Sequence, residues 1–453
     1  MKKSFTIKQP KLLLFLLLLV TMLVTRCQQD VLTTDLDQEL LATMNLASPT
    51  GHADYYVLAN PTKTASLPNQ DPHNPITPAK IKLGQMIFFD PGVGQLPVHQ
   101  DSYETYSCST CHIPAAGFLP GRAQGIADGA TGFGILGSYR SQLPDYQESE
   151  LDAQGVRPLS IMNVTYVTNT LWSGLFGAQH VNTGTEENWV GDLATVNHLG
   201  YEGLESQNIE GMVLHRMEIN ERVLSTHGYR AYFDLAFPDV PENERYNYKT
   251  ASFALGSYLR TVVTNEAPFQ DYLKGNTDAI TNQQKQGALL FFSKARCYTC
   301  HNAPSFSNME FHALGTADMY QFGGLNTSVD DPRNLGRGLF TGKEVDYYRF
   351  KVPQLYNLKD YRTFFHGSSK ATLSDVIDFK IKAQSENPHV SQDRLSPRFR
   401  PIDLSAAEKD ALIDFLTNAL YDPYMSRYVP EKTQSGACFP NNDELSRYQM
   451  GCN

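Results

Sequence analysis

The sequence predicts a mainly α-helical protein with two tandem, related units and long loops. Its 453 residues exceed the usual size of one domain, so two principal cores are expected. Helical spacing of apolar residues dominates, whereas the alternation typical of strands is scarce. A motif also recurs at two distant points of the chain, which favours duplication of one unit.

The repeated motif predicts a short helix in each unit. Residues 83–89 read LGQMIFF and residues 286–292 read QGALLFF, so in both copies a glycine precedes an apolar run that ends in two phenylalanines. The same nine-residue interval then recurs downstream, from Asn163 to Trp172 and from Asn357 to His366. We therefore interpret the chain as two related units in tandem.

A helical stretch over residues 252–272 separates the two copies and sets the predicted domain boundary. The expected segments are an export signal (1–27), an extended surface lead rich in Thr, Asn and Pro (28–76), a first unit (77–272), a second unit (273–430) and a tail (431–453). Within the first unit, residues 175–200 are rich in Gly, Thr and Asn, and they indicate an inserted loop whose role the sequence does not reveal.

The N-terminus has the features of an export signal. Lys2 and Lys3 precede an apolar run from Leu12 to Val24, which is too short for a membrane span. Cys27 follows at the position of the acylated cysteine in bacterial lipoproteins, although Arg26 stands where those proteins carry a small residue. We expect export to the periplasm or cell envelope, with a lipid anchor at Cys27 and ordinary cleavage as the two open outcomes.

The charge of the chain excludes one class of partner. A formal net charge of -10 and a pI near 5.7 argue against nucleic acid, because phosphate binding needs a basic face. An acidic protein would instead attract a basic partner, such as a small positively charged cytochrome.

Four of the seven cysteines form two pairs with identical spacing, and each pair is followed by a histidine. They stand in the segments Cys108-Ser-Thr-Cys111-His112 and Cys297-Tyr-Thr-Cys300-His301. This is the attachment signature of c-type haem, in which two thiols bond to the haem vinyl groups and the histidine binds the iron. A zinc site would place two such pairs about 15–20 residues apart. Two covalently bound haems are therefore predicted, with His112 and His301 as iron ligands.

The remaining pair of cysteines, Cys438 and Cys452, lies in a polar tail. In an exported and hence oxidising setting we expect a disulfide between them, and two free thiols are the alternative. Closing a loop of this size typically stabilises a protein by about 3 kcal/mol, so the disulfide would hold the C-terminus in place.

Together these motifs resemble the dihaem cytochrome c peroxidase and MauG superfamily over roughly residues 77 to 425. The matching stretches are 83–90, 108–118, 171–174, 300–306, 336–342 and 350–367. The resemblance implies two cytochrome c-like haem domains, the first carrying a peroxidatic haem and the second an electron-accepting haem. It also implies that electrons cross between them through a tryptophan.

The resemblance further implies roles for individual residues. Trp172 matches the relay tryptophan, with a plain core aromatic as the alternative. Gln207 and Glu218 match a distal glutamine and glutamate, and the carboxylate would move a proton between the two peroxide oxygens. His366 matches a histidine beside the second haem, or it is structural. Lys380 stands where family members supply a methionine or tyrosine ligand, so it either binds iron as a neutral amine or faces solvent.

Two departures from the family pattern affect the expected chemistry. No histidine occurs between His112 and His180, where typical members carry a distal histidine, so the first haem is expected to be open or closed by an unusual group such as Tyr139. Arg157 and Thr363 replace an asparagine and a proline that the family associates with an interdomain calcium, which puts calcium in doubt.

The leading functional prediction is reduction of hydrogen peroxide to water with electrons from a small cytochrome c or cupredoxin. Two alternatives stay open, namely a MauG-like oxidase acting on a protein or organic substrate and a non-enzymatic electron carrier. The sequence identifies neither the electron donor nor the oligomeric state, for which a homodimer remains one option.

Overall fold

The computed structural model describes residues 36–452, and this part of the chain is rich in helix and poor in sheet. The export signal and Cys27 lie outside the described residues. The helices are α1 (36–47), α2 (Pro78–Phe89), α3 (Cys108–Cys111), α4 (Gly191–Ala194), α5 (Gly203–Leu214), α6 (Arg230–Ala236), α7 (Glu242–Arg245), α8 (Tyr248–Thr261), α9 (Pro268–Leu273), α10 (Asn282–Phe292), α11 (Arg337–Thr341), α12 (Leu373–Lys382), α13 (Ala406–Asp414) and α14 (Glu444–Met450). Among residues 36–452, no helix is both long and apolar enough to cross a membrane.

The strands form two small antiparallel pairs. They are β1 (Ala130–Thr131) with β2 (Ser141–Gln142), and β3 (Asn308–His312) with β4 (Phe350–Val352). Such short ribbons cannot supply a core of their own, so the buried apolar side chains come mainly from helices and loops.

The first unit is built around the packing of α2 on α8. Thr77 caps α2 by accepting a hydrogen bond from the backbone N–H of Lys80, and Pro78 occupies the first turn, where its missing N–H is harmless. A Cβ atom on Gly84 would overlap the carbonyl oxygen of Ala254 in α8. The repeated glycine of the sequence motif therefore permits the close approach of these two helices.

The second unit repeats this arrangement with α10 packed on α13. A Cβ atom added to Gly287 would overlap the carbonyl oxygen of Ala411 in α13, just as one added to Gly84 would overlap that of Ala254. The two matching asparagines also make the same kind of hydrogen bond in both units. The side-chain oxygen of Asn163 accepts from the Thr264 backbone N–H at 3.0 Å, and that of Asn357 accepts from the Asp422 N–H at 3.0 Å.

The stretch predicted as one helix over residues 252–272 is two helices, α8 and α9. The first helix ends at Thr261 and the second begins at Pro268, and Ala267 is extended, as residues directly before a proline usually are. The change of core falls in this connection, because Val262 belongs to the first core and Val263 to the second.

The described part of the segment 28–76 differs from the extended surface lead that its composition suggests. Leu40 and Met44 on one face of α1 are fully buried in the core of the second unit. The Lys285 ammonium of α10 also pairs with the Asp37 carboxylate at 2.8 Å, with both side chains largely buried. The four-residue spacing of Leu40 and Met44 gives a helix an apolar stripe, and this stripe outweighs the polar composition of the segment.

The opposite end of the chain packs on the first unit. The Asp443 carboxylate pairs with the Arg140 guanidinium at 3.0 Å, and both side chains are buried. A disulfide joins Cys438 and Cys452, as the sequence predicts. Each end of the described chain therefore packs on the unit that is farther away in sequence.

Candidate haem site

One large cavity, of about 640 Å³, extends between the two units and has mostly apolar walls. Side chains from α5, α8, α10 and α12 line it together with loops of both units. Both cysteine pairs and both following histidines reach this cavity, namely Cys108, Cys111, His112, Cys297, Cys300 and His301. The structure thus brings together two motifs that are almost two hundred residues apart in the sequence.

The two histidines are held in the same way. The Nδ1 atom of His112 lies 3.0 Å from the carbonyl oxygen of Phe118, and Nδ1 of His301 lies 2.6 Å from that of Phe306. Because a carbonyl only accepts, each Nδ1 carries the proton and each Nε2 keeps its lone pair. Burial lowers the pKa of both imidazoles to about 4, with Lys380 adding to the effect at His301. Neutral imidazoles oriented in this way suit a metal ion.

The four cysteines of these motifs are thiols and form no disulfide. Burial raises the pKa of the Cys108 and Cys297 thiols to about 12. In the first motif, the hydroxyl of Thr110 donates to the carbonyl oxygen of Pro440 at 3.0 Å, so the C-terminal tail holds the loop. Paired thiols, a neutral imidazole and apolar walls are what a c-type haem requires, and the residues present fit that group at both positions.

Trp172 lies on the wall of the cavity and is held by both units. Its indole Nε1 donates to the carbonyl oxygen of Arg157 at 2.6 Å, and its own carbonyl oxygen accepts from the Lys351 N–H at 2.9 Å. The ring stands edge-on to Phe350 and to His366, with centroids 6.3 and 6.4 Å away. Trp172 is 7% exposed.

The two residues matched to the distal pocket differ in their positions. Gln207 lies on α5 and lines the cavity. Glu218 follows that helix but is not among the lining residues, whereas its neighbour Met217 is. The carboxylate of Glu218 instead accepts from the Asn220 side-chain amide at 3.0 Å.

His215 lines the cavity as well, although sequence reasoning did not single it out. Its Nδ1 atom lies 2.8 Å from a carboxylate oxygen of Asp152, which orients the ring and leaves Nε2 available. Burial lowers the pKa of His215, but the Asp152 carboxylate outweighs this effect and the net direction is upward. The pairing with Asp152 could not be anticipated from the sequence, because the two residues are 63 positions apart.

Lys380 and His366 lie on the side of the second unit. Lys380 lines the cavity from α12, and its ammonium lies 5.4 and 5.7 Å from the ring centroids of Phe399 and Phe365. Burial lowers the pKa of Lys380. Both ring nitrogens of His366 have protein partners, since Nε2 lies 2.8 Å from the Asp318 carboxylate and Nδ1 lies 3.2 Å from a threonine hydroxyl.

The inserted loop of residues 175–200 reaches the cavity, whereas Tyr139 does not. Leu175 and Leu193 of the inserted loop line it, and Trp189 of that loop packs in a small cluster that includes Phe340 of the second unit. Tyr139, considered as an unusual ligand, is 53% exposed and is not a lining residue.

Sequence comparison relates part of this chain to a known family. A sequence model of the family described as di-haem cytochrome c peroxidase matches residues 78–278, which include the first CxxCH motif, Trp172 and α5. Residues 78–278 are therefore similar to the di-haem cytochrome c peroxidase family, which the sequence motifs also resemble. The second CxxCH motif lies beyond the matched residues, so its assignment rests on its own residues and on full-length relatives.

Relatives with two kinds of name cover most of the chain. The methylamine utilization protein MauG of Methylorubrum extorquens is 27% identical over 361 residues, which span 79% of this chain and 83% of that protein. A cytochrome-c peroxidase of Pseudomonas sp. (strain SCT) is 26% identical over 363 residues, which span 76% of this chain and 82% of the relative. The relatives of this chain thus include proteins with both kinds of name.

Solved structures support the fold of the di-haem peroxidase family. A MauG-like protein associated with microbial copper homeostasis superimposes with a TM-score of 0.55 at 23% identity, covering 80% of this chain and 95% of that chain. A diheme peroxidase from Burkholderia thailandensis gives a TM-score of 0.51 at 16% identity, covering 79% of this chain and 89% of that one. At these identities, the likeness concerns the fold alone.

Proposed function

We propose that the chain is an exported peroxidase with two covalently bound c-type haems in tandem domains, over residues 77–272 and 273–430. It reduces hydrogen peroxide with two electrons and two protons to give two molecules of water. The observation that carries this proposal is the shared cavity, which both CxxCH motifs and Trp172 line. Relatives named cytochrome-c peroxidase, which match most of the chain, support it.

The residues that would hold the haems follow from the cavity. Cys108 and Cys111 would bind one haem by thioether bonds, and the pair in the second motif would bind the other. His112 and His301 would bind iron through Nε2, because their Nδ1 atoms are committed to backbone carbonyls. When bound, the haems supply the redox chemistry and the site at which peroxide is reduced.

Proton transfer at the peroxidatic haem has two candidate groups. Family resemblance supports Glu218, with Gln207 beside it. Glu218 is half-buried next to the cavity wall, and its side chain would have to turn from Asn220 to reach a bound peroxide. His215 already lines the cavity, and Asp152 holds its ring with Nε2 free to donate or accept a proton. The two groups are separable by substitution.

Electrons would cross from the second unit to the first through Trp172. The indole is buried, and main-chain hydrogen bonds from both units hold its position. A rigid aromatic group fixed between two redox sites suits charge relay better than a mobile one. On the side of the second unit, Lys380 would bind iron as a neutral amine, and burial favours that form.

A MauG-like oxidase is the second candidate function. Relatives named MauG match this chain over as much of their length as those named peroxidase. The rim of the cavity also carries the exposed apolar side chains of Leu214 and Leu339, which are 55% and 38% exposed. An exposed apolar rim would suit an organic or protein substrate, whereas hydrogen peroxide does not need one.

The remaining assignments follow from the sequence. A small cytochrome c or cupredoxin would supply the electrons, and the acidic charge of the chain favours a basic donor. Nucleic acid has no role. The protein would work in the periplasm or cell envelope, and a lipid on Cys27 would tether it to the membrane.

Steady-state peroxide consumption tests the proposal directly. Purified two-haem protein is mixed with peroxide and a panel of reduced donors, and donor oxidation is followed. We expect peroxide-dependent oxidation of at least one basic donor. The double variant Cys108→Ala with Cys111→Ala is the control, because it lacks the first haem. Absence of turnover with every donor, in protein that carries both haems, would reject the peroxidase function and favour the oxidase.

A further inference from the structure

The side chain of Arg157 is a buried cation at the junction of the two units. Arg157 is 4% exposed and lines the cavity. Its Nε donates to the carbonyl oxygen of Phe365 at 2.9 Å, and its backbone N–H donates to that of His366 at 2.7 Å. A residue of the first unit is therefore bound by the loop of the second unit that carries His366.

The guanidinium of Arg157 lacks the anion that a buried arginine normally has. Its Nη1 is buried without a hydrogen-bond partner, and among residues 36–452 no carboxylate forms an ion pair with it. The fully buried Arg260 gives the contrast, because its Nη2 lies 2.8 Å from the Glu205 carboxylate. An unpaired buried charge is strongly unfavourable, so an anion is expected where Nη1 points.

The aromatic neighbours of Arg157 do not replace that anion. The guanidinium carbon lies 5.8 Å from the ring centroid of Trp172 and 5.5 Å from that of Tyr361. Such contacts offset only part of the desolvation of a cation. Burial lowers the pKa of Arg157 to about 10, which still leaves the group charged at neutral pH.

In the described part of the chain, the rest of the cavity lining also lacks acidic side chains. Its lining includes several lysine and arginine side chains, yet no aspartate or glutamate of the described range 36–452 lines it. Lys351 is 3% exposed, and its Nζ donates to the carbonyl oxygen of Asn169 at 2.7 Å. Burial lowers the pKa of Lys351 to about 7, so this group, unlike Arg157, is partly neutral at neutral pH. The lack of acidic side chains is confined to the cavity, because the whole chain has a net charge of -10.

We propose that the open Nη1 of Arg157 binds a carboxylate of a haem propionate at the junction of the two units. The inference rests on the two-haem part of the proposed function, because each haem brings two carboxylates into a cavity that has none. The chain itself then supplies the positive charge between the two haem sites.

The arginine should affect the haem reduction potentials rather than only the fold. A nearby cation favours the reduced haem, which carries one more electron, so removal of the cation should lower the potential. Arg157→Gln removes the charge, and Arg157→Lys keeps it. Arg333→Gln is the matched control, because Arg333 also lines the cavity but already pairs with Asp331 at 2.6 Å.

The experiment is a spectroelectrochemical titration of both haems in holoprotein whose haem content has been measured first. In Arg157→Gln we expect the potential of at least one haem to fall, by ~59 mV for each tenfold change in its one-electron equilibrium. Arg157→Lys should recover most of the shift, and Arg333→Gln should match the wild type. Unchanged potentials in an Arg157→Gln protein with two haems would overturn the inference.

Two measurements on the wild type keep the test decisive if Arg157→Gln does not fold. A calcium chelator should leave both haem potentials unchanged, and a shift would mean that a bound cation supplies the charge. The potentials should also be independent of chloride concentration, whereas a chloride-dependent shift would assign Nη1 to a solution anion. A protein with fewer than two haems would count against the proposed function, which is a different failure.

Discussion

The indole Nε1 of Trp172 lies 2.6 Å from the carbonyl oxygen of Arg157, to which it donates a hydrogen bond. The same arginine is bound through its backbone N–H to the loop of His366 in the second unit. Arg157 therefore holds Trp172 in position, carries the buried cation and connects the two units.

Replacing Trp172 by phenylalanine should slow electron transfer between the haems. The smaller ring loses the hydrogen bond to Arg157 and leaves space at the cavity wall, so we expect a decrease of about tenfold or more, equal to ~1.4 kcal/mol in the barrier. Stopped-flow absorbance after reduction of the second haem measures this rate. The matched control is Trp189→Phe, because Trp189 is buried but does not line the cavity. Equal rates in Trp172→Phe and the wild type would exclude a relay role.

Both haems should be bound covalently, since each motif offers two thiols and a histidine. Acid-acetone extraction should leave haem on the chain, and haem staining of a denaturing gel should reveal it. The double variant Cys297→Ala with Cys300→Ala should retain one haem per chain. Loss of all haem on extraction of the wild type would contradict covalent attachment.

The proton-transfer group can be assigned by comparing Glu218→Gln with His215→Gln. If Glu218 carries the proton, its amide variant should keep both haem spectra and lower peroxide turnover by about a hundredfold or more. His215→Gln should then have the smaller effect. A larger loss of turnover in His215→Gln than in Glu218→Gln would instead make His215 the proton-transfer group. The ring of His215 is held by Asp152 and lines the cavity. Two unaffected variants would remove both residues from the mechanism.

Lys380→Ala should change the spectrum of the second haem if the amine binds its iron. Only the neutral amine has a lone pair, so ligation should strengthen as pH rises. Burial lowers the pKa of Lys380, which should shift this transition below the pH expected for a solvent lysine. Lys382→Ala on the exposed side of α12 is the control. Identical visible spectra of Lys380→Ala and wild type across alkaline pH would dismiss ligation.

The disulfide between Cys438 and Cys452 should stabilise the first unit. Substituting both cysteines by serine should lower the free energy of unfolding by about 3 kcal/mol, the usual gain from closing a short loop. Urea unfolding monitored by circular dichroism measures the loss. A reductant should lower the stability of the wild type and leave the double variant unchanged; equal stabilities without reductant would show that packing alone holds the tail.

Local chemistry was the part of the site that sequence could predict. CxxCH brings two thiols and an imidazole together within five residues, so no knowledge of the fold was needed to predict haem. The pairing of His215 with Asp152 was out of reach, because it depends on how two distant segments meet. The buried helix α1 was also missed, since its apolar stripe is short and stands in a polar segment.

Each end of the described chain packs on the unit that is farther away in sequence, and this affects the order in which the protein can assemble. The Thr110 hydroxyl in the first haem loop donates to the Pro440 carbonyl, 330 residues further on. Because synthesis runs from the N-terminus to the C-terminus, this bond cannot form until nearly the whole polypeptide has been made. Cys108 and Cys111 therefore remain uncovered by the tail until the polypeptide is almost complete.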